Sequence, residues 1–173
     1  IGVLGTVINS LMLRGAFKAK TGKEVRVMTA VRMEAIAEPY IRLRAIHNLE
    51  KGYVIILAGG IGQPFVTTDY PAVQRAIETR CDAMFVAKHG VDGVYSADPK
   101  KVPDAKLYKT LDYDDFMLEK LHIMDHSALL LARDYQMPVH IFNFEEVGAM
   151  KSILEGASVG TYIGPGTKRV LST

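Results

Sequence analysis

Two short stretches concentrate residue types that handle phosphate and nucleobase. In Ala58-Gly59-Gly60-Ile61-Gly62-Gln63-Pro64, three glycines follow directly on the apolar run Tyr53-Val54-Ile55-Ile56-Leu57. Glycine admits positive φ and lets the backbone turn its N–H groups toward an anion. Close behind come Thr67, Thr68 and Asp69, two hydroxyls and a carboxylate ahead of Pro71. They read as a helix N-terminus, where orphan N–H groups and the helix dipole favour a phosphate. Separately, the same residues would serve as an ordinary strand-to-helix turn with a Thr or Asp cap; it is their convergence that suggests a cradle.

The second stretch holds Lys88, His89, Asp92, Tyr95 and Asp98 after the run Asp82 to Ala87. It offers an aromatic ring on which adenine could stack, together with donors and carboxylates. A Val-Asp-Gly-Val turn with solvated charges would use the same residues. Lys100, Lys101, Lys106 and Lys109 add local positive charge or form a solvated face. The chain has no Gly-x-x-x-x-Gly-Lys-Ser/Thr and no strand followed by Gly-x-Gly-x-x-Gly, so a nucleotide site must be built in another way.

Other reactive side chains carry less. His122 and His126 are four apart, as in helical zinc sites, yet no third ligand at matching spacing and no His-Glu-x-x-His is present. No metal site is assigned, and Asp125 reads as the cap of the helix starting at His126. His47 and His140 lie in apolar segments and read as core residues, and Cys81 has no evident base.

These residues need elements to position them. Leu4, Val7, Ile8, Leu11 and Met12 recur at helical spacing, predicting an amphipathic helix over 3–18. A short strand is expected at 25–28. A helix follows with Pro39 in its first turn, Tyr40, Leu43, Ile46 and Leu49 as its stripe, and Gly52 at its end. The run 53–57 reads as a strand buried on both faces. The next helix opens at Thr67-Thr68-Asp69 and turns Val73 and Ile77 inward. Then come a strand at 82–87, an irregular stretch over 88–111, helices at 113–121 and 127–135, a strand at 139–142, a helix at 149–154, and a closing edge strand at 161–163. Alternating strands and helices predict an α/β domain with a mainly parallel sheet, whose ligands bind at the carboxyl ends of strands.

The chain's 173 residues, 49% apolar and 23% charged, suffice for one cored domain spanning 1–173. A formal charge of +2 speaks against a nucleic-acid surface, and no apolar run is long enough to cross a membrane. The single cysteine suits a reducing compartment.

With these residues laid out, the chain resembles the bacterial uridylate (UMP) kinases of the amino acid kinase superfamily. The segment from Ile55 to Asp69 looks like that family's acceptor loop, and Ala87 to Pro99 like its ATP loop. Met124-Asp125, Pro138 to Asn143 and Gly160 to Ile163 are similar in order. The resemblance implies a three-layer α/β sandwich with a mainly parallel central sheet, lacking the family's N-terminal part. It implies transfer of the ATP γ-phosphoryl group to UMP, with magnesium brought as MgATP. Ile61, Gly62, Gln63, Pro64, Phe65, Val66, Thr67 and Thr68 would hold UMP; His89, Tyr95 and Asp98 would contact ATP; Asp69 would organise charge around the transferring group. A homo-oligomer, by family resemblance a hexamer, is implied, with a purine nucleotide as allosteric effector and a cytoplasmic location. The opening helix is similar to the family's dimerisation region, although its stripe would equally face a core.

Departures qualify the likeness. Gly60-Ile61-Gly62-Gln63 stands where the family often has Gly-Thr-Gly-Asn, so a hydroxyl is lost, and His89 replaces a commoner Thr or Asn. The family's Lys-Leu-Ser-Gly segment, Gly-Gly-Gly turn and acceptor-binding Asp have no counterpart here, which implies that these 173 residues alone are inactive. The competing readings are a sister kinase acting on a carboxylate, disfavoured by the Thr67-Thr68-Asp69 loop, and a non-catalytic nucleotide-binding regulator.

Overall fold

A computed structural model describes every residue except Ile1, Pro64, Lys120, His122 and Thr173. The chain divides into two compact units, residues 1–80 and 81–173, each with its own sheet.

The first unit runs α1 (Gly2–Thr21), β1 (Val25–Thr29), β2 (Glu38–Pro39), α2 (Arg42–Glu50), β3 (Val54–Ala58) and α3 (Asp69–Glu78). Its sheet is all parallel in the order β2-β1-β3, with β1 and β3 in register from Val25↔Val54 to Thr29↔Ala58. The central strand β1 is the buried one; Val25, Val27 and Met28 are its apolar core. The strand expected to be buried on both faces, β3, is half-buried along most of its length. It is an edge of this three-stranded sheet, so its unbroken apolar run does not report double coverage.

Pro39 lies in β2 and not in a first helical turn. An edge strand tolerates a residue with no N–H, and pairing resumes at once, with Tyr40 N donating to Thr29 O at 2.9 Å. Helix α2 therefore starts later, at Arg42, and buries Ala45 while Leu43 and Leu49 stay exposed. His47, read from sequence as a core residue, is on the exposed face of this surface helix. In α1, Val7 and Ser10 are buried, whereas Leu4, Ile8 and Met12 are exposed.

The second unit runs β4 (Met84–Lys88), β5 (Tyr108–Leu111), α4 (Tyr113–Leu118), α5 (His126–Asp134), β6 (Val139–Asn143), α6 (Ala149–Leu154), β7 (Thr161–Ile163) and β8 (Val170–Leu171). The strand order is β4-β6-β7-β5-β8. The pairs β4/β6 and β5/β7 are parallel, while β6/β7 and β5/β8 are antiparallel. Fully buried Val139, Ile141, Leu111, Phe116, Leu129 and Ile163 build its core. Helix α4 is capped by Asp112, whose carboxylate accepts from Asp114 N.

Two strands here depart from the sequence expectation. β5 falls in the stretch expected to be irregular; it has four residues, and Tyr108 and Leu111 are buried at its ends with Lys109 exposed between them. β7, expected as a closing edge, lies inside the sheet between β6 and β5. Its Thr161 is fully buried because its hydroxyl is used twice, accepting from Val94 N at 2.8 Å and donating to Tyr108 O at 2.5 Å. Gly93 is required beside it, since a Cβ there would lie 2.6 Å from Thr161 Oγ1. Among the described residues no helix is long and apolar enough to cross a membrane.

Candidate functional site

The glycine loop of the first unit leaves the carboxyl end of β3. Gly59, Gly60 and Gly62 all have positive φ, at 79°, 58° and 74°, as the turn from strand to helix demands. The loop is tied at its base. Gly59 N donates to Thr6 Oγ1 of α1 at 3.0 Å, and Gly62 N to Gly59 O at 3.0 Å. The sequence does not single out Thr6, one of three hydroxyl residues in α1.

Beyond the turn the backbone opens toward solvent. Ile61 is half-buried, while Gly62, Gln63, Phe65, Val66, Thr67 and Thr68 are exposed, and Pro64 lies outside the described residues. Phe65 is fully exposed and takes φ 63°, unusual for a non-glycine residue. Thr68 occupies the N-cap of α3 without a side-chain cap bond, and Asp69 stands in the first turn. Its N–H reaches Thr67 Oγ1 at 3.4 Å. Hydroxyls and helix N-terminus thus follow the glycine turn as expected, and the face they present is one on which an anion would meet N–H and O–H donors.

The other end of α3 is anchored. Glu78 accepts from Tyr40 Oη at 2.6 Å, Arg75 Nη1 at 2.6 Å and Gln74 Nε2 at 2.8 Å. Burial pushes the Glu78 carboxyl up, but these hydrogen bonds together outweigh it and hold it below the usual range. Tyr40 moves the opposite way, to about 12, through burial and then its bond to Glu78.

In the second unit, the parallel register Lys88↔Asn143 brings two loops to one sheet edge. Asn143 Nδ2 donates to Asp92 Oδ1 at 2.9 Å, and Tyr95 Oη donates to Asp92 Oδ2 at 3.1 Å. Burial first, then this bond and the Asp92 charge, raise the Tyr95 hydroxyl above its ordinary value. His89 is exposed with Nδ1 at 3.5 Å from Glu145 Oε1, and Glu145 N donates to Asn143 Oδ1. Asp98 accepts from Lys100 N at 3.0 Å and pairs with Lys101 at 3.7 Å.

A cleft of about 470 Å³ adjoins this loop, lined by Tyr95, Asp98, Pro99, Lys101, Glu119 and Leu121 among others. Its volume is in the range of small-molecule sites. Tyr95 and Asp98 therefore share one cleft, whereas His89 is not on its wall but joins them through Glu145, Asn143 and Asp92. Glu119 and Leu121 were not singled out from sequence, because nothing local marks a residue just past a short helix as cleft-lining. Among the described residues no three His, Cys, Asp or Glu side chains gather to hold a metal. Of the spaced histidines, His122 lies outside those residues, and His126 Nε2 contacts Leu121 O at 3.1 Å.

Comparison with known proteins gives a consistent result. The model of the "Amino acid kinase family" matches residues 1–143. The chain is 58% identical over 163 residues to a uridylate kinase of Frankia casuarinae, covering 94% of this chain and 63% of that protein. It is 47% identical over 163 residues to one from Deinococcus radiodurans, covering 94% and 66%. The crystal structure of UMP kinase from Bacillus anthracis superposes with a TM-score of 0.96 at 57% identity, covering 99% of this chain and 70% of that one. UMP kinase from Ureaplasma parvum gives 0.88 at 29% identity, with 94% and 68% covered. The chain thus spans about two thirds of the length of the relatives it matches.

Proposed function

Because this chain belongs to the amino acid kinase family, and its relatives within it are uridylate kinases, we propose that it is the portion of a UMP kinase that carries the acceptor loop and the ATP loop. The reaction is transfer of the γ-phosphoryl group of ATP to a phosphate oxygen of UMP. The bond from the γ-phosphorus to its bridging oxygen breaks, the bond to the UMP oxygen forms, and ADP and UDP leave. The observation that carries the proposal is the junction of three positive-φ glycines at the end of β3 with Thr67, Thr68 and Asp69 at the start of α3.

Phosphoryl transfer asks the protein for positioning and electrostatic stabilisation more than for covalent chemistry. In this reading the segment Ile61–Thr68 holds UMP, with backbone N–H groups supplying what the missing threonine would have offered at Ile61. The Thr67 and Thr68 hydroxyls donate to the acceptor phosphate. Asp69 orients donors around the transferring group and is the catalytic residue of this portion. Tyr95 and Asp98 bind the ATP in the cleft of the second unit, and His89 reaches it from the start of the same loop. Magnesium enters as part of the MgATP substrate. We further propose a homo-oligomer, a hexamer on the family pattern, with a purine nucleotide as effector and the cytoplasm as site of action.

The test is phosphoryl transfer from MgATP by the full-length protein with UMP, CMP, glutamate and aspartate as parallel acceptors. UDP formation well above every other product supports the proposal. Turnover on a carboxylate assigns a sister kinase, and nucleotide binding without any transfer assigns a regulator.

A further inference from the structure

The cleft beside Tyr95 carries two carboxylates, although the triphosphate proposed for it is itself anionic. Asp98 finds its cation within the cleft, at Lys101. Glu119 does not: its partner is Arg169, whose Nη1 donates to Glu119 Oε1 at 2.5 Å.

Arg169 lies on a strap, 164–172, that is fixed on both sides of it. The Thr110 hydroxyl donates to Lys168 O at 2.6 Å, Val170 registers with Thr110 of β5, and Ser172 N donates to Leu107 O at 2.7 Å. Gly166 N donates to Asp112 Oδ2 at 3.0 Å. A guanidinium presented by backbone already held in place costs no further backbone freedom when it pairs, and its planar fork limits the side-chain entropy lost per hydrogen bond. The buried Tyr108 hydroxyl reports both charges: burial raises its pKa, Glu119 adds to the rise and Arg169 opposes it.

We propose that Arg169 is a positioning residue for the nucleoside triphosphate: by pairing with Glu119 it removes a repulsive charge from the cleft wall and fixes that carboxylate away from the phosphates. The inference rests on the reading that MgATP occupies this cleft, and it assigns to the strap a role in binding that none of the loop motifs carries. An unpaired carboxylate facing phosphates several ångströms away lowers affinity by about five- to tenfold at intermediate dielectric. Side-chain exposures of 49% for Arg169 and 34% for Glu119 leave the pair open to solvent, so the effect shrinks as salt rises.

The experiment compares full-length wild type, R169A, R169K, E119Q and R169A/E119Q by steady-state kinetics at low and high salt and by equilibrium binding of a fluorescent ATP analogue with magnesium. R169A should raise KM for MgATP and weaken the analogue about five- to tenfold at low salt, leaving KM for UMP and kcat unchanged. R169K and E119Q should stay near wild type, and R169A/E119Q should regain wild-type affinity. A merely structural strap would not be rescued by E119Q, so a double variant as weak as R169A overturns the inference, as does an R169A that binds normally. Wild type that binds the analogue but makes no UDP defeats the kinase reading while the binding series still decides this one; wild type that does not bind the analogue defeats both.

Discussion

Single side chains carry the chemistry and much of the local stability. If Asp69 organises the transferring group, Asp69→Asn keeps the shape of the α3 N-terminus and removes the charge. We expect kcat for UDP formation to fall about a hundredfold, the scale seen when one electrostatic contributor is removed, with KM for either substrate changing far less. Thr161 tests stability in the same spirit. Replacing it by valine leaves Val94 N and Tyr108 O without their buried partner, and denaturant unfolding should show a loss of about 1–3 kcal/mol. His140 sets a pH dependence. Its ring lies between Phe85 and Tyr162, at 5.9 and 5.7 Å between centroids, and Nε2 meets Val159 O at 3.0 Å. Burial pushes its pKa below the ordinary 6.5, partly opposed by that bond. Below 6.5 and down to the depressed folded value, the unfolded chain therefore binds a proton that the native chain does not, and stability rises with pH across that window. Unfolding midpoints measured through this range should fall as the pH drops beneath 6.5, and His140→Gln should flatten the slope.

At the scale of elements, boundaries were legible where the local pattern was self-contained, even in short elements. Helix α6 and strand β7 have the bounds expected from the sequence, and α1, β4 and β6 differ from expectation by only a few residues. What could not be read was context. Whether β3 is covered on both faces depends on its neighbours and not on its own apolar run. Whether Pro39 opens a helix or closes an edge strand depends on the pairing of Tyr40 N with Thr29 O, across residues distant in sequence. β5 and β8 are short, and their partners, not their composition, make them strands. The candidate site divides in the same way. The glycines, Thr67, Thr68, Asp69, Tyr95 and Asp98 could be proposed from the sequence because each motif is contiguous. Thr6, Glu119, Asn143 as partner of Asp92, and Arg169 could not, because each reaches its site from another element.

For the whole molecule, the proposed assembly and the division of labour between the loops are the properties to measure. Leu4, Ile8 and Met12 recur at one-turn spacing along α1 and are 53%, 58% and 71% exposed, an apolar stripe of the kind that marks a contact surface. Light scattering on the full-length protein should show an oligomer, and L4E/I8E/M12E should reduce it to smaller species. The loop proposed to hold UMP belongs to the first unit and the loop proposed to bind ATP to the second, so damage to each should be felt by a different substrate. The most direct measurement is steady-state kinetics with both substrates varied, on wild type, T67V/T68V and Y95A. The account predicts that T67V/T68V raises KM for UMP about tenfold or more through lost charge-assisted hydrogen bonds with KM for MgATP unchanged, and that Y95A does the reverse. Variants of both loops that raise the same KM, or that raise neither, would contradict it.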